Sequence, residues 1–337
     1  MQKHSLKYGE RFDFEAGGSL PGIEIVYHTS PREYKAGDKV VWICHALTAN
    51  SDAEDWWPEM VGPGKLFDTD RFFVVCVNEL ASPYGSSGPA SEDPDSGRPY
   101  FFSFPRVTVR DVARTFEIVR QHLGIQSVDL LVGSSIGGFH ALEWSIMAPD
   151  VISTAAFMAT SPRVSPYLSA FEESQRMALE ADPTFREAKD LKGGEAGLRC
   201  ARAIAMLSYR SRDGYVLTQH DADPDTMFAA RAGSYQRHQG KKLADRFDAY
   251  SYYYLADAVD SQNVGRGRGG EEAALSLVKA RTVVVSIDSD CIFPPEEVRR
   301  IADAVAGADY YQITSRFGHD GFLLEAEQLS EILGKYI

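Results

Sequence analysis

Four cysteines in 337 residues are too few and too scattered for a disulfide framework. Cys44, Cys76, Cys200 and Cys291 show neither C-x-x-C nor zinc-ligand spacing, so no redox dithiol and no metal centre is expected. No run of about 18 apolar residues occurs, which excludes a helical membrane span. The opening MQKHSLKYGERFDFEAGG lacks an apolar h-region, so the expectation is a reduced, cytoplasmic protein without a secretory signal. Positive charge is also short: 35 Lys and Arg stand against 48 Asp and Glu, a formal net charge of −13. That balance argues against nucleic acid or an anionic membrane as the main partner, since both bind clustered cations.

A 44% hydrophobic, 25% charged composition is ordinary for a globular chain. Its length suits two domains, or one core with a large insertion. Short apolar runs at 10–14, 22–29, 39–44, 72–78, 128–133, 152–158, 282–287 and 309–313 predict eight strands. The runs VVWIC, RFFVVCV, VDLLVG and TVVVSI are continuous rather than alternating, as in parallel strands covered on both faces. Helical periodicity follows at 109–123, 137–147 and 295–305, which is βα alternation. The first two strands have no helix between them and are expected to pair antiparallel. From 162 to 280 the strand rhythm stops, and helix-like stretches appear at 168–181, 195–210, 225–243 and 247–257. The predicted architecture is therefore a mostly parallel, eight-stranded α/β core at 1–161 and 281–337, with a helical lid inserted at 162–280. GRGRGG at 265–270 lacks the strand-before, helix-after setting of a phosphate cradle and reads as a loop.

The chemistry concentrates in Gly133-Ser134-Ser135-Ile136-Gly137, a G-x-S-x-G between a predicted strand and a predicted helix. Such a turn strains its serine and leaves no room for side chains two residues away on either side. Ser135 is the candidate nucleophile, and the Ile136 amide, at a helix start, a candidate oxyanion donor. The second donor is expected in the loop Cys44–Thr48, near the Leu47 amide. A serine needs a base, and the base an acid to orient it. Of the later histidines, His140 falls in the elbow helix and His220 and His238 in the polar insertion. His319 falls in SRFGHDGF just after the last strand, which makes it the candidate base. Asp288 and Asp290, at the end of TVVVSI, are both candidates for the acid. His45 precedes the chain order of such a triad, so a structural hydrogen-bonding role is expected of it.

The segments CHALTANSDAEDWWPEMVGPGKLFDTDRFFVVCVNEL, YGSSGP, FPRVTVRD, GSSIGGFHALEW, ARAIAMLSYRS, RFDAYSYYYL, SDCIFPP and FGHDGF together resemble the homoserine O-acetyltransferases of the α/β-hydrolase superfamily. The resemblance spans about residues 22–333. It departs at Ser134 and Ile136, where the family has glycine and methionine. It implies an α/β-hydrolase fold, a triad of Ser135, Asp290 and His319, and Asp290 rather than Asp288 as the acid. It further implies that Arg202 and Tyr209, seven residues apart on one helical face, bind substrate, with Arg202 on a carboxylate and Asp320 on an ammonium. The activity implied is ping-pong acetyl transfer from acetyl-CoA, a co-substrate rather than a resident cofactor, to L-homoserine in methionine biosynthesis. Rival readings are a serine carboxylesterase, a succinyl-CoA- or serine-using transferase, and a non-catalytic relative. A homodimer through the lid is implied as well. The acidic balance makes one further demand: cations must gather near the site if a phosphorylated donor is used.

Overall fold

The computed structural model describes residues 1–228 and 230–337. Eight strands form one sheet: β1 (Gln2–Tyr8), β2 (Ile23–Thr29), β3 (Val40–Cys44), β4 (Phe73–Val77), β5 (Val128–Ser134), β6 (Ile152–Met158), β7 (Arg281–Ile287) and β8 (Asp309–Ile313). Their spatial order is β1-β2-β4-β3-β5-β6-β7-β8. β2 runs antiparallel to both neighbours, and every other pairing is parallel. Every residue of β3 and β4 is buried, as their unbroken apolar sequences require. Alternation then divides the core: Val40, Trp42 and Cys44 pack on one face, Val41 and Ile43 on the other.

The antiparallel partner of β2 differs from the one expected. Phe12–Asp13 leaves the main sheet and pairs with Ser19–Leu20 in a separate two-stranded ribbon. The place beside β2 belongs to β1, whose QKHSLKY has no apolar run because it is an edge strand with no buried position. An edge strand with polar side chains gives little periodic signal and is protected from pairing with other chains.

Helices α1 (Val109–His122) and α2 (Ile136–Met147) pack against each other beside the sheet. A capping box of Thr108 and Asp111 starts α1. Trp42 of β3 and Trp144 of α2 approach to 4.8 Å between ring centroids. Between β6 and β7 lie α3 (Pro166–Glu180), α4 (Glu195–Tyr209), α5 (Arg231–Ala244) and α6 (Ala249–Asp260). The helix expected from 225 starts at Arg231; Ala229, within that stretch, lies outside the described residues. Three short helices, Pro183–Glu187, Arg212–Gln219 and Glu271–Leu275, were not expected, being too brief to show a period. The Tyr254 hydroxyl donates to the Phe104 carbonyl at 2.6 Å, and Arg106 grips Asp257 through two 2.7 Å bonds, tying the insertion to the core. Helix α7 (Pro295–Ala304) returns the chain to β8. All four thiols are free, and among the described residues no helix is long and apolar enough to cross a membrane.

The chain leaves β3 toward β4 on one side, while β5 lies on the other. That reversal opens a crevice at the carboxyl ends of β3 and β5, where open α/β sheets place their ligands.

Candidate active site

Ser135 follows β5 directly and sits at φ 58°, ψ −131°, a left-handed conformation costly for a residue with a side chain. Its amide donates to the Met158 carbonyl at 3.1 Å, and its carbonyl accepts from Thr160 Oγ1 at 3.0 Å, which hold the turn. The glycines are sterically required. A Cβ on Gly133 would overlap the Gly137 carbonyl, and one on Gly137 would overlap the carbonyl oxygens of Cys44 and His45. The second contact brings the elbow against the loop carrying Leu47. Ile136 opens α2, where the first amides have no intrahelical acceptor. Ser134 is buried as the last residue of β5, and Ser135 is half-buried at the pocket wall.

Asp290 and His319 are brought together from the loops after β7 and β8. His319 Nδ1 lies 2.7 Å from Asp290 Oδ2, and both residues are buried. The other Asp290 oxygen accepts from the amides of Ile292 and Phe293, each at 3.0 Å. Asp288 is exposed and accepts from the Ser315 amide at 3.0 Å, which makes it a loop brace. Ser289 completes that brace by accepting from the Gly318 amide at 3.0 Å. The imidazole lies among Phe293, Phe322 and Tyr209 at 5.2, 5.3 and 6.0 Å. Its Nε2 is buried and unpartnered, and His319 shares a pocket with Ser135.

That pocket has a volume of about 190 Å³ and is also lined by Leu47, Arg202, Tyr209, Asp320 and Arg246. Arg202 and Tyr209 share a face of α4, with the guanidinium carbon 5.2 Å from the ring centroid. Arg202 Nη1 is buried without a partner, so a cationic donor stands unused beside the candidate nucleophile. Asp320 reaches the pocket but is not free: Arg210 Nε lies 2.6 Å from its carboxylate. Burial nonetheless holds the Asp320 carboxyl above its usual range, against the opposing pull of Arg210. An ammonium here would share the aspartate with Arg210.

His45 is turned away from the chemistry. Its Nδ1–H donates to the Ala46 carbonyl at 3.0 Å, and its Nε2 accepts from the Glu79 amide at 3.2 Å. Glu79 Oε1 lies 3.5 Å from Nδ1 of both His45 and His140. Burial raises Glu79 well above the carboxylate range and lowers His45 to about 4 and His140 to about 3. These three groups are therefore a neutral cluster behind the elbow, not an ion pair. His220 is exposed, as expected of the polar insertion.

Two further residues at the site carry little signal in the sequence. Arg246 is exposed and donates to the Thr48 carbonyl at 2.6 Å and to the Tyr84 hydroxyl, placing a cation at the rim. Its only signal is that it opens the segment RFDAYSYYYL. Glu172, on α3, faces Ser135 across a second, smaller cavity. Its signal is a carboxylate on the buried stripe Leu168, Gln175, Leu179.

The model of the alpha/beta hydrolase fold family matches residues 39–326. A homoserine O-acetyltransferase of Cyclobacterium marinum is 38% identical over 97% of this chain and 93% of its own length. One from Trichormus variabilis is 40% identical over 96% and 90%. Among solved structures, a homoserine O-acetyltransferase from Bacillus anthracis superposes with a TM-score of 0.90 at 23% identity, covering 99% of this chain and 97% of that one. Esterase E22 superposes as well, at 0.90 and 20% identity over 99% of both chains. Those two likenesses bear on the fold alone.

Proposed function

This chain belongs to the homoserine O-acetyltransferase family of α/β-hydrolase-fold enzymes, and we propose that it transfers an acetyl group from acetyl-CoA to the hydroxyl of L-homoserine, in methionine biosynthesis in the cytoplasm. His319, oriented by Asp290, removes the Ser135 proton as Ser135 Oγ attacks the thioester carbonyl. The amides of Leu47 and Ile136 receive the developing oxyanion. The C–S bond breaks, the thiolate takes the proton from His319, and an acetyl-serine remains. The homoserine hydroxyl then gives its proton to His319 and attacks that ester, and Ser135 leaves with the proton returned. Ping-pong kinetics follow from the covalent intermediate.

The observation that carries this reading is the pairing, in one pocket, of an unpartnered His319 Nε2 with the unpartnered guanidinium nitrogen of Arg202. A hydrolase needs the first and has no use for the second; an amino-acid acceptor needs both. Arg202 receives the acceptor's carboxylate, and Asp320, shared with Arg210, its ammonium. Tyr209 closes the wall between them. Arg246 at the rim supplies the cation that a phosphorylated donor demands of an acidic chain.

Thiol release from acetyl-CoA, measured with and without homoserine, tests the reading. Release is expected to depend on homoserine and to match O-acetylhomoserine formed. Equal release without acceptor would make the chain a thioesterase or esterase instead.

A further inference from the structure

Two spaces meet at Ser135. The larger pocket, about 190 Å³, holds His319 and Arg202; the smaller one, about 20 Å³, is bounded by Ile136, Phe139, Leu168, Glu172 and Ile292. Leu47, Ser135 and Tyr209 border both. An acyl carbon bonded to Ser135 Oγ, with its oxygen toward the Leu47 and Ile136 amides, has two further substituents to place. The thiol or alcohol must reach His319, which lines only the larger pocket, so it takes that side. The acyl chain is left with the smaller side, which has room for little more than one water-sized group.

Glu172 bounds that smaller side. It is 2% exposed, and its Oε2 has no hydrogen-bond partner. A leucine there would fill similar space without burying an unpaired polar atom. No Lys or Arg is among the described residues lining the cavity, and Arg176, one turn on from Glu172, is already paired with Glu173 and Asp260, so a carboxylate pushed into it would find no free counter-ion.

We infer that Glu172 is the acyl-selecting residue of this site, seating a short uncharged acyl group on Ser135 and turning away longer or anionic ones. The inference rests on the acyl-serine reading proposed above and narrows its donor to acetyl over succinyl. Burial lifts the carboxyl to about 8, with Asp260 adding to the rise and Arg176 opposing it, so at neutral pH the cavity wall is polar but uncharged.

The test is acylation of Ser135 by the p-nitrophenyl esters of acetate, butyrate and succinate, followed by nitrophenolate burst and intact mass. These donors require neither CoA nor homoserine. Glu172→Ala is expected to lower the acetyl-over-butyryl preference in kcat/KM by about tenfold or more, by raising the butyryl rate, while succinyl stays poor. Glu172→Asp, one methylene shorter and safer for folding, shifts the preference the same way by about threefold. Glu172→Gln, of equal size, keeps the wild-type preference. An unchanged preference in both the Ala and Asp variants, with normal acetyl-enzyme formation, overturns the role of Glu172 alone. A wild-type chain that gains no acyl mass from any donor overturns the acyl-serine reading and this inference with it.

Discussion

Asp290 and Glu172 are carboxyl groups at 4% and 2% exposure on two sides of the same serine, one carried by the core and one by the lid. Their surroundings differ. Asp290 accepts from two backbone amides and from His319, so its oxygens face donors fixed by the turn after β7. Glu172 rises from the middle of a helix, where the backbone amides are spent within the helix, and keeps one oxygen bare. Burial alone therefore does not set what a carboxyl does; the donors do. The same contrast runs through the whole site. The core supplies loops and helix starts whose free amides can hold an anion. The lid supplies long side chains, Glu172, Arg202 and Tyr209, reaching in from regular helices with polar atoms left for a ligand.

The largest expected effect breaks the well-supported half. Asp290→Asn removes the acceptor that orients His319 and should lower kcat about 10⁴-fold. Asp288→Asn, altering only the loop brace to Ser315, should stay within about threefold. Equal losses in steady-state assays would mean that the two aspartates had been assigned wrongly.

The smaller effect sharpens the other half. Glu172 holds its proton to about pH 8 when folded, whereas an unfolded glutamate releases it near 4.5. Between those values the folded state binds more protons, so stability falls as pH rises through the window and is steady above it. Glu172→Gln removes that dependence. The variant should come close to wild type in urea unfolding at pH 4.5 and exceed it by up to about 5 kcal/mol at pH 9, roughly 1.4 kcal/mol for each unit of the rise. A difference that stays constant with pH would show that Glu172 ionises like an exposed acid.

Sequence made the core half legible and left much of the lid half dark, for physical reasons. VVWIC and FVVCV can only be buried on both faces, and Gly133 and Gly137 bracket a serine in a turn that admits no Cβ, so β3, β4 and the elbow could be read in place. β1 escaped because an edge strand carries no apolar run. Residues alone could not choose between Asp288 and Asp290, since both follow the same strand; the turn geometry that separates them exists only in three dimensions. Glu172 and Arg246 matter through what lies opposite them after the lid has folded over β5, and their own neighbours in sequence do not record it.

A covalent acyl group on Ser135 that waits for an acceptor is what sets this reading apart from a hydrolase. Rapid mixing with acetyl-CoA, quenching and intact-mass measurement tests it most directly. An acetyl adduct is expected on the wild-type chain, absent from Ser135→Ala and discharged by homoserine much faster than by water. No adduct, an adduct that survives Ser135→Ala, or discharge at the same rate in buffer alone would contradict it.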